Sequence, residues 1–135
     1  MKFRLIKPEH DDFRFHCEQL KNAFANAVDP KTEFEEMRDT VQAQRASFYH
    51  LSGTGFSVRF VGQVRDKDYF VWALTGKGII DATLKGIIPT VKACGYESIT
   101  YGTYRKGMRR ILSGLGFQSI QYQREAVATF HRLEV

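Results

Sequence analysis

Cysteine is scarce in this chain: Cys17 and Cys94 are the only two among 135 residues, too few for a disulfide framework. A reducing compartment is therefore the expected environment, and the cytoplasm the expected location. No apolar run approaches the roughly 20 residues needed to cross a bilayer. The first residues, Met1-Lys2-Phe3-Arg4-Leu5-Ile6-Lys7-Pro8, lack the apolar stretch of a secretory signal, so no membrane partner is expected. The three prolines and eleven glycines form no linker or low-complexity tract, and no internal repeat divides the chain. One domain over residues 1–135 is the expectation. His10, His16, His50 and His131 stand at no metal-ligand spacing, and no metal site is expected.

What is present is apolar and aromatic matter, 43% and 13% of the residues, which suits a packed core and not a disordered chain. The net charge of +5 is unevenly spread. Residues 1–74 hold 11 Lys/Arg against 11 Asp/Glu, whereas residues 75–135 hold 9 against 4. An anionic ligand or partner is thereby directed to the second half. That half carries no helix-turn-helix, zinc-finger or RNP pattern, and its aromatics follow buried spacing. Nucleic acid therefore ranks last among the partners considered.

Periodicity supplies the order of elements. Phe3 to Lys7 reads as a strand stopped by Pro8. From about Asp11, Phe13, Cys17, Leu20 and Phe24 recur at helical spacing, with Cys17 on the apolar stripe. Asp29-Pro30 marks a second helix start, with Glu33, Glu35 and Glu36 near its positive end and Phe34, Met37 and Val41 on its apolar face. Phe48 to Leu51 is a strand, Gly53-Thr54-Gly55 a turn, and Phe56, Val58 and Phe60 alternate with Ser57 and Arg59. After the turn Asp66-Lys67-Asp68, Tyr69 to Leu74 is an apolar strand covered on both faces, with Trp72 in the core.

A third helix begins after Gly78, with Ile80, Leu84, Ile87, Ile88 and Val91 as its predicted buried stripe and Gly95 as C-cap. Pro89 predicts a kink near Lys85. Ser98 to Tyr104 is a strand, and a helix from about Lys106 carries Met108, Ile111, Leu112 and Leu115 on one face, closed by Gly116. Gln118 to Gln123 and Ala126 to Leu133 read as two antiparallel strands. The order β-α-α-β-β-β-α-β-α-β-β predicts an α/β (α+β) fold.

Thr75-Gly76-Lys77-Gly78-Ile79 is where chemistry is expected. Glycines allow close backbone approach, amides at a helix start point outward unpaired, and Lys77 adds positive charge, which together suit a phosphate. It is not a Walker loop, lacking Gly-x-x-x-x-Gly-Lys-Ser/Thr. Nor is it a dinucleotide fingerprint, because Asp81 stands at the third glycine position.

From Leu74 to Phe117 the chain resembles the GNAT superfamily of N-acetyltransferases. The resemblance rests on the glycine loop, a helix, Gly95-Tyr96, a strand ending Tyr101-Gly102-Thr103-Tyr104, a helix, and Leu115-Gly116-Phe117. In that superfamily an Arg/Gln-x-x-Gly-x-Gly/Ala loop receives the pyrophosphate of acetyl-coenzyme A. The resemblance implies a mixed, mostly antiparallel central sheet, acetyl-coenzyme A as cofactor, and a small-molecule or protein amine as acceptor. It assigns coenzyme binding to Val71, Ala73, Thr75, Gly76, Lys77, Gly78, Ile79 and Ile80, with Arg105 and Arg109 pairing with phosphates. Tyr104 is the surviving hydroxyl near the cleft and the candidate catalytic group.

The chain departs from the pattern at four places. Thr75 stands where Arg or Gln is usual, Ile80 where Gly or Ala is, Arg105 where Asn is, and Leu112 where a proton-donating Tyr is. These residues support an alternative: a non-catalytic GNAT-like binding or structural protein. Such proteins occur in tailed bacteriophages, including an internal virion component, and one would act through a protein assembly partner in the host cytoplasm or the virion.

Overall fold

The computed structural model describes residues 1–120 and 128–135. The strand expectations at residues 121–123 and 126–127 lie outside the described residues. The chain runs β1 (Lys2–Ile6), α1 (Phe13–Gln19), a 3₁₀ turn (Lys21–Phe24), α2 (Pro30–Gln42), β2 (Ser47–Gly53), β3 (Phe56–Arg65) and β4 (Asp68–Lys77). It continues through α3 (Ile79–Asp81), a π-helical segment (Ala82–Ile87), α4 (Ile88–Ala93), β5 (Ser98–Thr103), α5 (Lys106–Gly114), β6 (Gln118–Ile120) and β7 (Thr129–Glu134). Among the described residues the strands form one sheet in the order β1-β2-β3-β4-β5-β7-β6. Only β4 and β5 run parallel; every other pair is antiparallel. This is the mixed, mostly antiparallel sheet expected. Among the described residues no helix is long and apolar enough to cross a membrane.

Two apolar clusters cover the sheet. Phe48, Val61 and Ala73 pack with Cys17, Leu20 and Phe24 and with Phe34, Met37 and Val41 of α2. Leu51, Val58, Phe60 and Tyr101 pack on the other side with Ile87, Val91, Met108 and Leu112. Strand alternation makes this division, since neighbouring side chains point to opposite faces. The start of α2 follows its local chemistry: the Asp29 side chain accepts the amide of Thr32 at 3.2 Å, with Pro30 leading the helix.

Three expectations needed correction. First, Thr75, Gly76 and Lys77 are not a loop. They complete β4 by pairing with β3, from Arg59↔Thr75 to Ser57↔Lys77. Glycines read as turn residues in sequence, but the backbone of β3 needed partners there.

Second, the break expected near Lys85 takes the form of a π-helical segment, Ala82–Ile87, ahead of Pro89. The π-helical segment widens the turn ahead of it, so that the proline falls in the first turn of α4, where its missing N–H costs nothing. Third, that segment rotates the buried stripe. Ala82, Thr83, Gly86, Ile87 and Val91 face the sheet, while Ile80 and Leu84 are 47% and 48% exposed. The predicted stripe assumed 3.6 residues per turn throughout.

Candidate functional site

β4 and β5 pair over four residues only, from Asp68↔Ser98 to Val71↔Tyr101. Beyond that point β4 continues to Lys77, held by β3, and β5 continues to Thr103, held by β7. The two halves of the sheet therefore diverge, and a wedge opens with its apex at Val71 and Tyr101. Its foot is tied by chemistry: the buried Asp68 carboxylate accepts the hydroxyls of Ser98 at 2.7 Å and Thr100 at 2.9 Å. Arg132 Nε of β7 stands 3.8 Å from the same oxygen.

The wedge is bounded by one unexpected contact. Arg105 Nη2 donates to the carbonyl of Leu74 at 2.7 Å, so this backbone oxygen of β4 points away from β3 and into the gap. Arg105 precedes α5, and its own amide donates to Thr103 Oγ1 at 3.0 Å. Burial lowers its pKa from the ordinary arginine value. Among the described residues its guanidinium makes no ion pair.

At the wedge mouth, Gly78 adopts a left-handed φ of 68° and no side chain caps the helix that follows. The amides of Ile79, Ile80 and Asp81 thus form an open first turn, with the exposed Lys77 beside them. Internal packing accounts for both glycines. A Cβ at Gly76 would lie 2.2 Å from the Ser57 carbonyl oxygen, and one at Gly78 would lie 2.4 Å from that of Gly55. They let the end of β4 lie flat on β3 and on the β2–β3 turn.

A cavity of about 200 Å³ straddles the apex on the α2 side. Phe70 and Trp72 of β4, Gly102 to Tyr104 beyond the apex on β5, Glu33 and Glu36 of α2, and Arg65 at the end of β3 line it. Tyr104 OH donates to Glu33 Oε2 at 3.3 Å, and its ring lies 6.3 Å from that of Phe24. On the opposite side of the apex, the buried hydroxyls of Tyr101 and Thr83 meet at 3.1 Å. Burial pushes the Tyr101 phenol above its usual range.

No protein-family model matches the chain, and no curated protein matches it in sequence. Solved structures do match. A probable acetyltransferase from Staphylococcus epidermidis superposes with a TM-score of 0.71 at 11% identity, covering 99% of this chain and 98% of that one. The PaiA N-acetyltransferase of Thermoplasma acidophilum, in complex with coenzyme A, gives 0.65 at 11% identity with 100% of both chains covered. An acetyltransferase from Bacillus subtilis in complex with CoA gives 0.63 at 15%, covering 99% and 98%. This chain has the GNAT fold. At such low identity the likeness is one of fold.

Within this GNAT fold the candidate residues fall into separate places. Thr75 to Ile80 line the mouth, and Val71 and Ala73 are buried strand residues on β4. Arg105 lies in the wedge. Arg109 instead sits close enough to His131 of β7 to add to the depression of that histidine's pKa by burial, and its own Nε is buried without a partner among the described residues. Leu112 is fully buried in the core. Trp72, expected in the core, is half-buried and borders the cavity. Glu33 escaped the sequence reading. It lies 71 residues from Tyr104, and its place in the first turn of α2 was explained by the helix dipole alone. The spacing of Glu33 and Glu36, three residues apart on one helix face, was the available signal.

A second polar cluster lies over β1 to β3, in cross-strand register with Thr75 through Arg4↔His50, His50↔Arg59 and Arg59↔Thr75. Arg4 donates to Asp12 at 2.8 Å and Arg59 Nε donates to His16 Nδ1 at 2.9 Å. The ring proton of neutral His16 is thereby assigned to Nε2, which faces Asp12 Oδ2 at 3.1 Å. Burial lowers the His16 pKa, with Arg59 adding to the effect, while Arg4 holds Asp12 at about 2.

Proposed function

We propose that this chain is an acyl-coenzyme A-dependent N-acyltransferase acting on an amine. The observation that carries the reading is the wedge: unpaired backbone between two parallel central strands, ending beside an uncapped helix start. Coenzyme A in two of the similar structures supports it. The residues present fit such a group. Lys77 and the amides of Ile79 to Asp81 suit the phosphates, and the Leu74 carbonyl is a backbone acceptor for an extended amide-bearing arm once Arg105 leaves it. When bound, acetyl-coenzyme A supplies an activated thioester.

The chain's own contribution is to orient the acceptor and move a proton. Glu33 Oε2, in the cavity lining, takes the proton of the incoming amine, and Tyr104 OH holds that carboxylate in place. The aromatic floor of Phe70 and Trp72 keeps water from the reacting side. The test is a melting-temperature shift with acetyl-coenzyme A, followed by free-thiol release with amine acceptors. No shift at millimolar concentration would remove the reading.

A second reading is a binding protein without turnover, as an assembly partner in a virion or in the cytoplasm. It is favoured by Leu112, which supplies no proton donor, and by Arg105 standing on the Leu74 carbonyl. Coenzyme binding without thiol release from any amine would select it.

A further inference from the structure

We infer that the cavity over the apex admits a protonated primary amine on an uncharged alkyl arm, and selects it by charge; this rests on the acyltransferase reading above. Its walls combine two chemistries that favour an organic cation. Glu33 and Glu36 bring two carboxylates to one side, and Glu36 makes no ion pair among the described residues. Phe70, Trp72, Tyr104 and Phe130 add aromatic surface to the same lining. Aromatic faces attract cations, and carboxylates accept charge-assisted hydrogen bonds from ammonium groups.

Arg65 belongs to the same lining, and its guanidinium lies 3.9 Å from the ring centre of Phe70, so that face already holds a cation. Two carboxylates against this one guanidinium leave the lining net negative, and a bound ammonium would pair with the carboxylates of α2 and the faces of the other rings.

Size narrows the class. About 200 Å³ holds roughly six or seven water volumes, enough for an aminoalkyl arm such as the end of a lysine side chain or of a small alkylamine. The apolar floor suits the methylene stem, and the carboxylates suit its head. An amine that carries its own carboxylate near the nitrogen would bring like charge against Glu33 and Glu36.

The single tryptophan of the chain, Trp72, borders the cavity and reports on it directly. The experiment titrates the full chain, without coenzyme, with pentylamine, pentanol and pentanoate while following tryptophan fluorescence. Pentylamine is expected to give a saturable change roughly tenfold or more tighter than pentanol, the scale of one charge-assisted contact. Pentanoate is expected to give none. The double variant Glu33→Gln with Glu36→Gln should lose the preference for pentylamine over pentanol, and Glu9→Gln on the surface should keep it.

Equal binding of amine and alcohol to the native chain, or tighter binding of pentanoate, would overturn the inference whether or not the variant folds. Pentylamine and glutamate then enter the thiol-release assay as acceptors. Amine binding with no thiol release leaves the cavity assignment standing and removes the acyltransferase reading. Thiol release faster with glutamate than with pentylamine does the reverse.

Discussion

Replacing Arg105 with alanine is expected to tighten coenzyme A binding. In the structure its guanidinium occupies the Leu74 carbonyl, the β4 acceptor that opens into the wedge. A hydrogen bond from a charged donor contributes about 1.5–3 kcal/mol, and a ligand that uses the same oxygen must first break it. Removing the competitor therefore strengthens binding by up to that amount, roughly 10- to 150-fold in Kd. Fold stability should hardly change. The lost hydrogen bond is offset by relief from half-burying a cation that has no ion pair among the described residues, leaving a net effect within about 1 kcal/mol. The assay is calorimetric titration of native, Arg105→Ala and Arg105→Lys chains with coenzyme A, beside urea denaturation of each. Tighter binding by Arg105→Ala with an unchanged midpoint is the expected outcome. Weaker binding would mean that the arginine holds a phosphate, as the resemblance implied, and would refute the argument that it guards the strand.

Other outcomes follow from the same geometry. Gly78→Ala meets both a left-handed backbone and the Gly55 carbonyl oxygen, and is expected to cost more than about 2 kcal/mol in a thermal melt. Gly114→Ala, within α5 and with nothing within 4 Å, should gain about 0.5–1 kcal/mol; equal effects of the two would contradict the packing described. Asp68→Asn weakens the foot of the wedge by about 2–4 kcal/mol, read from the urea midpoint. His16, His50 and His131 all have pKa values lowered by burial. Their contribution is fully present above the ordinary histidine range and is lost as pH falls through it, because the unfolded chain protonates first. The denaturation midpoint should therefore rise from about pH 5 to pH 7, and a flat profile would count against those burials. The Arg4–Asp12 contribution persists lower, fading as pH falls from the ordinary aspartate range toward about 2.

The order of elements was legible because local chemistry announces it. Asp29-Pro30 opens α2, and Gly95 and Gly116 take the positive φ that ends α4 and α5, at 89° and 92°. What stayed hidden depends on partners distant in sequence. Thr75 to Lys77 look like a loop until β3 is placed beside them. The π-helical segment lies outside any template of fixed period, so Ile80 and Leu84 were expected inside. The pairing of Glu33 with Tyr104, which brings α2 over the apex, has no local signature at all. The resemblance implied a cleft and gave Arg105 a phosphate; that Arg105 stands on the Leu74 carbonyl came only from the structure.

Asp68, Ser98, Thr100 and Arg132 rivet the two halves of the sheet at one end, and each half keeps its own ladder to the other end. Across the gap between them runs the Arg105 hydrogen bond to the Leu74 carbonyl, and the ladders of each half do not depend on it. Groups facing the gap are thus exchangeable at little thermodynamic risk, and a lineage on this scaffold can discard its chemistry while remaining robustly folded. Thr75 and Ile80, at the wedge mouth, are residues of the sort such an architecture permits. A high melting temperature in this chain is therefore no testimony that turnover survives.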